Sequence, residues 1–241
     1  MNTVIAKFGC AVLAAWLYGW GTSALAASLL VNGSFETPTV PAGGFTTFAV
    51  GSSAITGWTV VGPAGTNVAP VSTTFTQNGV AFVAQDGNQW LDLTGLDSNN
   101  AEGVSQSVAT TIGNAYQLTY FVGNTTGGNI FGTSSTVNVF VNGVHSFIDS
   151  NFTPSPTMQN WQAFQHTFVA GSASTVLSFI NGDPGGDNTN GLDNIVLVDL
   201  GPTVGAVPEP ETYATMLAGL ALMASSARAG RGRSGSSWCT S

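Results

Sequence analysis

Short runs in which apolar and polar residues alternate fill the chain between residues 27 and 200, with Gly, Asn, Ser and Pro between them. The clearest run, residues 116–122, has its large apolar side chains on one face: Tyr116, Leu118, Tyr120 and Val122. Residues 136–142 alternate in the same way, and the Asn142-Gly143 pair that ends them predicts a hairpin turn. No segment of this region sustains a helical period, so the pattern predicts an all-β sandwich.

Seven further strands are predicted from the same alternation and from the turn residues that bound them. They cover residues 45–50, 57–61, 90–94, 103–110, 162–170, 175–181 and 192–199. A chain of this length is enough for one domain with a sizeable core. We therefore predict a single β-sandwich domain over residues 27–200.

The N-terminal 26 residues have the pattern of a secretory signal peptide. Lys7 is the only charge before the apolar run 8–20, and the small-residue site Ala24-Leu25-Ala26 follows it. This order of a basic end, an apolar run and a cleavage site predicts export and removal of residues 1–26.

The C-terminal end carries three features in a fixed order. A linker at residues 201–211 contains Val207-Pro208-Glu209-Pro210, an uncharged stretch covers residues 212–227, and the tail 228–241 holds arginines at Arg228, Arg231 and Arg233. As a helix the uncharged stretch would rise about 24 Å, slightly less than the ~30 Å hydrocarbon core of a bilayer. Arginines beside a span keep that end in the cytoplasm, so we predict a short transmembrane helix with the domain on the outer side.

This tail resembles the PEP-CTERM sorting signal of exported bacterial proteins. The resemblance implies recognition by an exosortase, a transient stay in the inner membrane with the domain in the periplasm, and then release to the cell surface or medium. Residues 234–241 depart from the family pattern, which usually stops at its arginines, and this departure puts the cleavage of the tail in doubt.

Charge is distributed unevenly between the domain and the ends. No lysine or arginine occurs between Lys7 and Arg228, whereas residues 27–200 contain ten acidic residues. Binding to nucleic acid or to anionic lipid needs basic groups, so both are excluded as partners of the domain. The two cysteines, Cys10 and Cys239, lie in the terminal segments, and the domain can form no disulfide.

Several motifs within the domain resemble the choice-of-anchor C type of exported domain, a galactose-binding-like jelly roll. They are the opening segment 29–36, the Ile-Thr-Gly-Trp segment 55–58, the acidic segment 86–95 and the closing segment 191–195. The resemblance implies a jelly-roll fold and leaves the activity open, because folds of this kind serve binding, adhesion and architecture.

A calcium site is predicted from Glu36 and Asp193, which lie in the opening and closing motifs. In related jelly rolls, acidic residues at these motifs help to hold a structural Ca²⁺, and carboxylate and carbonyl oxygens are the ligands that this ion prefers. The alternative is that both side chains cap turns by accepting backbone N–H bonds.

Sugar binding usually combines an exposed aromatic ring with amide or carboxylate hydrogen-bonding groups. Trp90 lies near Asp86 and Asn88 in the sequence, and these three residues are the candidate ligand site, whereas Trp58 and Trp161 are expected in the core. Catalysis is poorly supported, because the domain has no Gly-x-Ser-x-Gly elbow, no phosphate loop and no cysteine.

We therefore predict a non-enzymatic, exported surface or matrix protein that binds carbohydrate, with exopolysaccharide as the candidate partner. An architectural protein that associates with itself is the alternative. A glycoside-active enzyme is a third hypothesis, which requires two carboxylates that converge in a cleft.

Overall fold

Two antiparallel β-sheets packed face to face make up the domain. The computed structural model describes residues 27–96, 101–183, 189–203 and 217–218. Within residues 27–96, 101–183 and 189–203 all regular structure is β-strand. The prediction of an all-β sandwich is confirmed.

One sheet has six strands in the order β1-β3-β6-β13-β8-β11. Their bounds are β1 Phe48–Ala49, β3 Asn67–Ser72, β6 Gln89–Asp92, β8 Asn114–Asn124, β11 Asn160–Val169 and β13 Gly191–Pro202.

The second sheet has five strands in the order β10-β9-β12-β7-β2. They are β2 Thr59–Val61, β7 Gly103–Ala109, β9 Ser135–Val141, β10 Val144–Asn151 and β12 Ser174–Asn181. A separate two-stranded hairpin is formed by β4 Thr76–Gln77 and β5 Val80–Ala81.

The main core lies between the two sheets, where each contributes one apolar face. Strand β8 buries the four residues that the alternation placed together, Tyr116, Leu118, Tyr120 and Val122. They pack against residues of the second sheet that include Val137, Val139, Leu177 and Phe179. Trp58 is 1% exposed in this core, as the sequence predicted.

The predicted hairpin turn joins β9 to β10. Asn142 and Gly143 have φ angles of 51° and 78°, both in the left-handed region that a two-residue hairpin of this type requires. Asparagine and glycine adopt that region more readily than other residues, which explains why this pair ends the strand.

The first strand is shorter than predicted: of residues 45–50, only Phe48–Ala49 form a strand. Strand β3 lies outside the predicted strands, and its residues are buried on both sides. It contains Pro70 and lacks alternation, because both of its faces are covered.

Candidate ligand-binding pocket

A second apolar cluster, here called the outer cluster, covers the face of the six-stranded sheet that points away from the other sheet. Its members are Ala69, Val71, Val80, Phe82, Trp90 and Phe131, with Phe75, Ala84 and Trp161 packed against it. Strands β3 and β6 supply the base, and the β4–β5 hairpin covers it. The six-stranded sheet is therefore buried on both faces along these two strands.

A pocket of about 310 Å³, here called the outer pocket, opens within this cluster. Its apolar lining consists of Phe45, Ala69, Val71, Phe75, Phe82, Trp90, Gly95, Leu96, Ile130 and Phe131. Phe45 is 39% exposed and Leu96 is 65% exposed, so apolar side chains reach solvent around the pocket. This volume lies at the lower end of the range for small-molecule sites.

The polar lining comes from Gln77, Asn78, Asp92, Thr94 and Thr189. Asp92 Oδ1 accepts bonds from Thr94 N at 3.0 Å and from Thr94 Oγ1 at 2.8 Å, which fixes the carboxyl at the end of β6. Burial raises the pKa of Asp92 to about 6, and the bonds from Thr94 act in the opposite direction. Among the described residues, the buried Thr189 hydroxyl has no hydrogen-bond partner. The pocket lining thus contains a carboxyl and a buried, unpartnered hydroxyl.

Trp90 lines the pocket but is not an exposed platform, because it is 1% exposed. One face stacks on Phe82 at a centroid distance of 5.9 Å, and Trp161 meets it edge-on at 6.0 Å. The Trp90 Nε1–H donates to the Phe82 carbonyl at 3.1 Å. The ring therefore shapes the wall, and Phe45 is the more accessible aromatic side chain.

The structure places Trp90 in the pocket lining and leaves Asp86 and Asn88 out of it. Both of these polar residues are exposed on the loop before β6. Asp86 accepts a bond from the Ser34 hydroxyl at 2.8 Å, and Asn88 N donates to Glu36 at 2.7 Å. The three residues named from the sequence therefore do not form one site.

Glu36 and Asp193 bind the same loop from two sides. Glu36 Oε1 accepts the backbone N–H groups of Asn88 and Gln89 at 2.7 and 2.8 Å. Asp193 Oδ2 accepts those of Gln85 and Asp86 at 2.8 and 3.0 Å. Both side chains thus cap a turn by accepting its backbone N–H bonds, which is the alternative to calcium binding. The two carboxylates hold N–H donors here, and within the described residues no group of three or more acidic, histidine or cysteine side chains could hold a metal ion. Calcium binding by Glu36 and Asp193 stays a prediction for experiment.

Asp149 joins the two sheets along the side where β10 and β11 run. Its Oδ2 lies 2.5 Å from His166 Nε2 and also accepts a bond from the Tyr120 hydroxyl. The His166 ring stacks on Phe147 at a centroid distance of 4.0 Å. Burial, and then the Asp149 carboxylate, raises the pKa of Tyr120 well above its usual range. These contacts join the two sheets, and none of the residues involved lines the outer pocket.

The signal peptide 1–26 and the sorting residues Val207, Pro208, Glu209, Pro210, Arg228, Arg231 and Arg233 lie outside the described residues. The same holds for nearly all of the predicted membrane helix, residues 212–227. In the described part of the chain, no helix is long and apolar enough to cross a membrane.

The main pocket residues that sequence reasoning missed are Phe45, Asp92 and Thr189. Asp92 was visible as an acidic residue, and its main partner is the nearby Thr94, but the sequence does not show that Asn190 and the rest of the pocket lie beside it. Thr189 follows a Gly- and Asn-rich loop and carries no signal of its own in the sequence.

Residues 28–197 match the model of a family described as "Protein of unknown function (DUF642)", and the chain belongs to this family. The match supports neither the PEP-CTERM nor the choice-of-anchor C assignment, and both stay predictions. No curated protein matches the chain.

Among solved structures, the chain is similar to a Stig cyclase, Fisc from Fischerella sp. TAU, in complex with an indole compound. The TM-score is 0.55 at 16% identity, over 74% of this chain and 100% of that one. A xylan-binding domain, CBM22-1 of Paenibacillus barcinonensis Xyn10C, matches with a TM-score of 0.41 at 18% identity, over 67% of this chain and 97% of that one. At these identities the likeness to the cyclase shows the fold alone.

Proposed function

We propose that this DUF642 protein is a non-enzymatic exported protein that binds a neutral carbohydrate in the outer pocket. The observation that carries the proposal is the lining of this pocket, in which aromatic side chains face a carboxyl and hydroxyl groups. A pyranose has an apolar ring face and a rim of hydroxyls, and sites for such ligands combine these two kinds of group.

Charge supports a neutral ligand. Residues 27–200 contain no lysine or arginine, so the pocket has no lysine or arginine to pair with an acidic sugar. Asp92 at the pocket would repel an anionic group, because like charges in a partly buried site are poorly screened. Neutral exopolysaccharide at the cell surface is the partner that fits both the pocket and the predicted export.

The proposal is for binding without turnover. Among the described residues that line the pocket, Asp92 is the one carboxylate. Glycoside hydrolysis by two carboxyl groups needs a pair roughly 5–9.5 Å apart. The lining therefore favours a binding role over the glycoside-active hypothesis.

The test is a glycan array probed with the full-length protein and two variants. Phe45→Ala removes an accessible ring and Asp92→Asn removes the carboxylate, and each should weaken binding about tenfold, which corresponds to ~1.4 kcal/mol. Ile112→Ala is the matched control, because Ile112 is 66% exposed and does not line the pocket. Failure of the wild-type protein to bind any neutral glycan would overturn the proposal.

Sorting by an exosortase is the second part of the proposal, and it is supported by the tail motif alone. Alanine at both Pro208 and Pro210 should leave the protein in the inner membrane, as measured by fractionation of the producing cells. Pro202→Ala, just before the motif, is the control and should leave sorting unchanged. Equal release of the motif variant and the control would argue against exosortase recognition.

Self-association is the second candidate function, and one observation favours it. Strand β11 forms an edge of the six-stranded sheet, runs for ten residues and contains no Asp, Glu, Lys or Arg. Edge strands without charges or prolines are templates for pairing with another copy. Light scattering over a range of concentrations tests this, and Gln165→Lys on the exposed face of β11 should abolish any assembly.

A further inference from the structure

Three glutamines are buried in the described part of the domain, and they differ in how their amides are satisfied. Gln89 is 2% exposed, Gln106 is 6% exposed and Gln159 is 3% exposed. Gln89 bonds to three backbone groups, and Gln106 bonds to both the N–H and the carbonyl of Val31. Neither amide atom of Gln159 has a hydrogen-bond partner among the described residues.

Gln159 lies on the outer face of the six-stranded sheet, where two glycines make room for it. A Cβ at either Gly123 or Gly191 would collide with Gln159 Nε2. The ring of Trp161 also covers these glycines, with Trp161 atoms 2.8 and 3.1 Å from the two Cβ positions. The amide therefore occupies a space that exists because the paired residues of β8 and β13, Gly123 and Gly191, have no side chain.

The two glycines belong to a row of cross-strand partners that also includes a residue of the outer pocket. Gly191 is the cross-strand partner of Gly123 on one side and of Asp92 on the other. Asp92 lines the pocket, as does Thr189 two residues before Gly191. Gln159 is not itself among the lining residues, but its amide lies against Gly191, the cross-strand partner of Asp92. The Thr189 hydroxyl, which does line the pocket, is likewise buried and unpartnered among the described residues.

Buried amides in folded proteins are nearly always hydrogen-bonded, because leaving them unpaired loses the bonds they make to water. An apolar residue of the same size would fill this space without that penalty. A buried and unpaired amide next to a pocket is therefore a group that a ligand can satisfy.

We infer that Thr189, and Gln159 next to the strand partner of Asp92, extend the polar end of the outer pocket and bind two adjacent hydroxyl groups of a neutral sugar, an inference that rests on the proposed function. A primary carboxamide presents one acceptor and one donor side by side, and two neighbouring hydroxyls match this pair. The Thr189 hydroxyl adds a group that can donate or accept. Gln159 is thus the residue that selects the hydroxyl pattern of the ligand, whereas the aromatic wall contacts the ring.

The experiment compares Gln159→Met with Gln106→Met in the full-length protein. The probes are the methyl glycosides of galactose, glucose, mannose and xylose, and the matching deoxy sugars, titrated by calorimetry. Gln159→Met should weaken binding of the best probe about tenfold, since a bond left unmade in a site built for it discriminates by at least this factor. For a deoxy sugar that lacks one of the two recognised hydroxyls, Gln159→Met should cost less affinity than it does for the parent sugar.

Stability supplies an independent readout. Gln159→Met should keep or raise the melting temperature, because it removes an unpaired buried amide, whereas Gln106→Met should lower it by breaking two bonds. A fall of the Gln159→Met melting temperature equal to that of Gln106→Met would overturn the inference. Unchanged binding in Gln159→Met would also overturn it and leave the proposed function standing, whereas no binding of any probe by wild type would overturn both.

Discussion

Asp193 is expected to set the pH dependence of stability. Its side chain is fully buried, and burial raises its pKa to about 8, although backbone N–H bonds from Asp86, Asn194 and Gln85 act in the opposite direction. In the unfolded chain an aspartate titrates near 3.9. The folded state thus holds the proton more tightly, so the contribution to stability is fully present below about pH 4 and is lost as the pH rises through 8.

The size of this effect follows from the two pKa values. Between about pH 5 and about pH 8 the linkage relation gives a loss of about 3.5 kcal/mol in the free energy of unfolding. With a urea m-value of about 2 kcal/mol/M, the midpoint of unfolding should fall by about 1.7 M over this range. A loss of this size is a large part of the total stability of an ordinary domain.

Urea unfolding followed by tryptophan fluorescence at several pH values is the assay. Asp193→Asn cannot ionise and should flatten the profile between about pH 6 and about pH 8, whereas the slope below about pH 6, where Asp92 also titrates, should remain. Asp199→Asn is the control, because hydrogen bonds from Asn114 and Gly201 lower the pKa of Asp199, so its contribution is lost only as the pH falls. An Asp193→Asn profile as steep as that of wild type would refute the reasoning.

The same titration tests the calcium prediction for Glu36 and Asp193. A bound Ca²⁺ would stabilise the ionised carboxyl, so it would raise the midpoint at about pH 8 and leave the midpoint at low pH unchanged. Chelator should then reverse the gain, and Glu36→Ala should remove it. A midpoint that does not respond to calcium or chelator would leave turn capping as the sole role of the pair.

Three further outcomes are expected. Binding of a neutral glycan should weaken as the pH falls through about 6, where Asp92 gains its proton, and Asp92→Asn should abolish this dependence in calorimetric titrations. Gly191→Ala should push Gln159 out of its space and destabilise the fold by about 1–3 kcal/mol in urea unfolding, the usual range for overpacking. Asp149→Ala should lower the melting temperature more than His166→Ala, because it leaves the buried Tyr120 hydroxyl without its acceptor.

The strands that could be predicted from the sequence are those with one buried face. Alternation marks β8 and β9, because water covers one side of these strands and the core covers the other. Strand β3 has no such contrast, since the β4–β5 hairpin covers its outer side, and Pro70 argues against a strand. Strand β3, which forms part of the base of the outer pocket, therefore shows no alternation by which it could be predicted.

The candidate site was harder to predict than the fold, because its members are joined only by strand pairing. Asp92, Gly191, Gly123 and Trp161 form one row across four strands, although they are spread over about a hundred positions of the sequence. Nothing in the local sequence distinguishes Gln159, which is buried and unpaired, from Gln106, which is buried and fully bonded.

Residues 27–200 contain no lysine or arginine, so their carboxylates must be hydrogen-bonded in another way. Carboxylates without cations must find donors elsewhere. Glu36 and Asp193 take backbone N–H groups, and Asp149 takes a tyrosine hydroxyl and an imidazole. Asp92 is bonded as well, mainly through one oxygen to Thr94, and it lies in a pocket lining. These four carboxylates thus find donors within the domain, and a neutral, hydroxyl-rich ligand is the kind that the pocket can bind without burying a new unpaired charge.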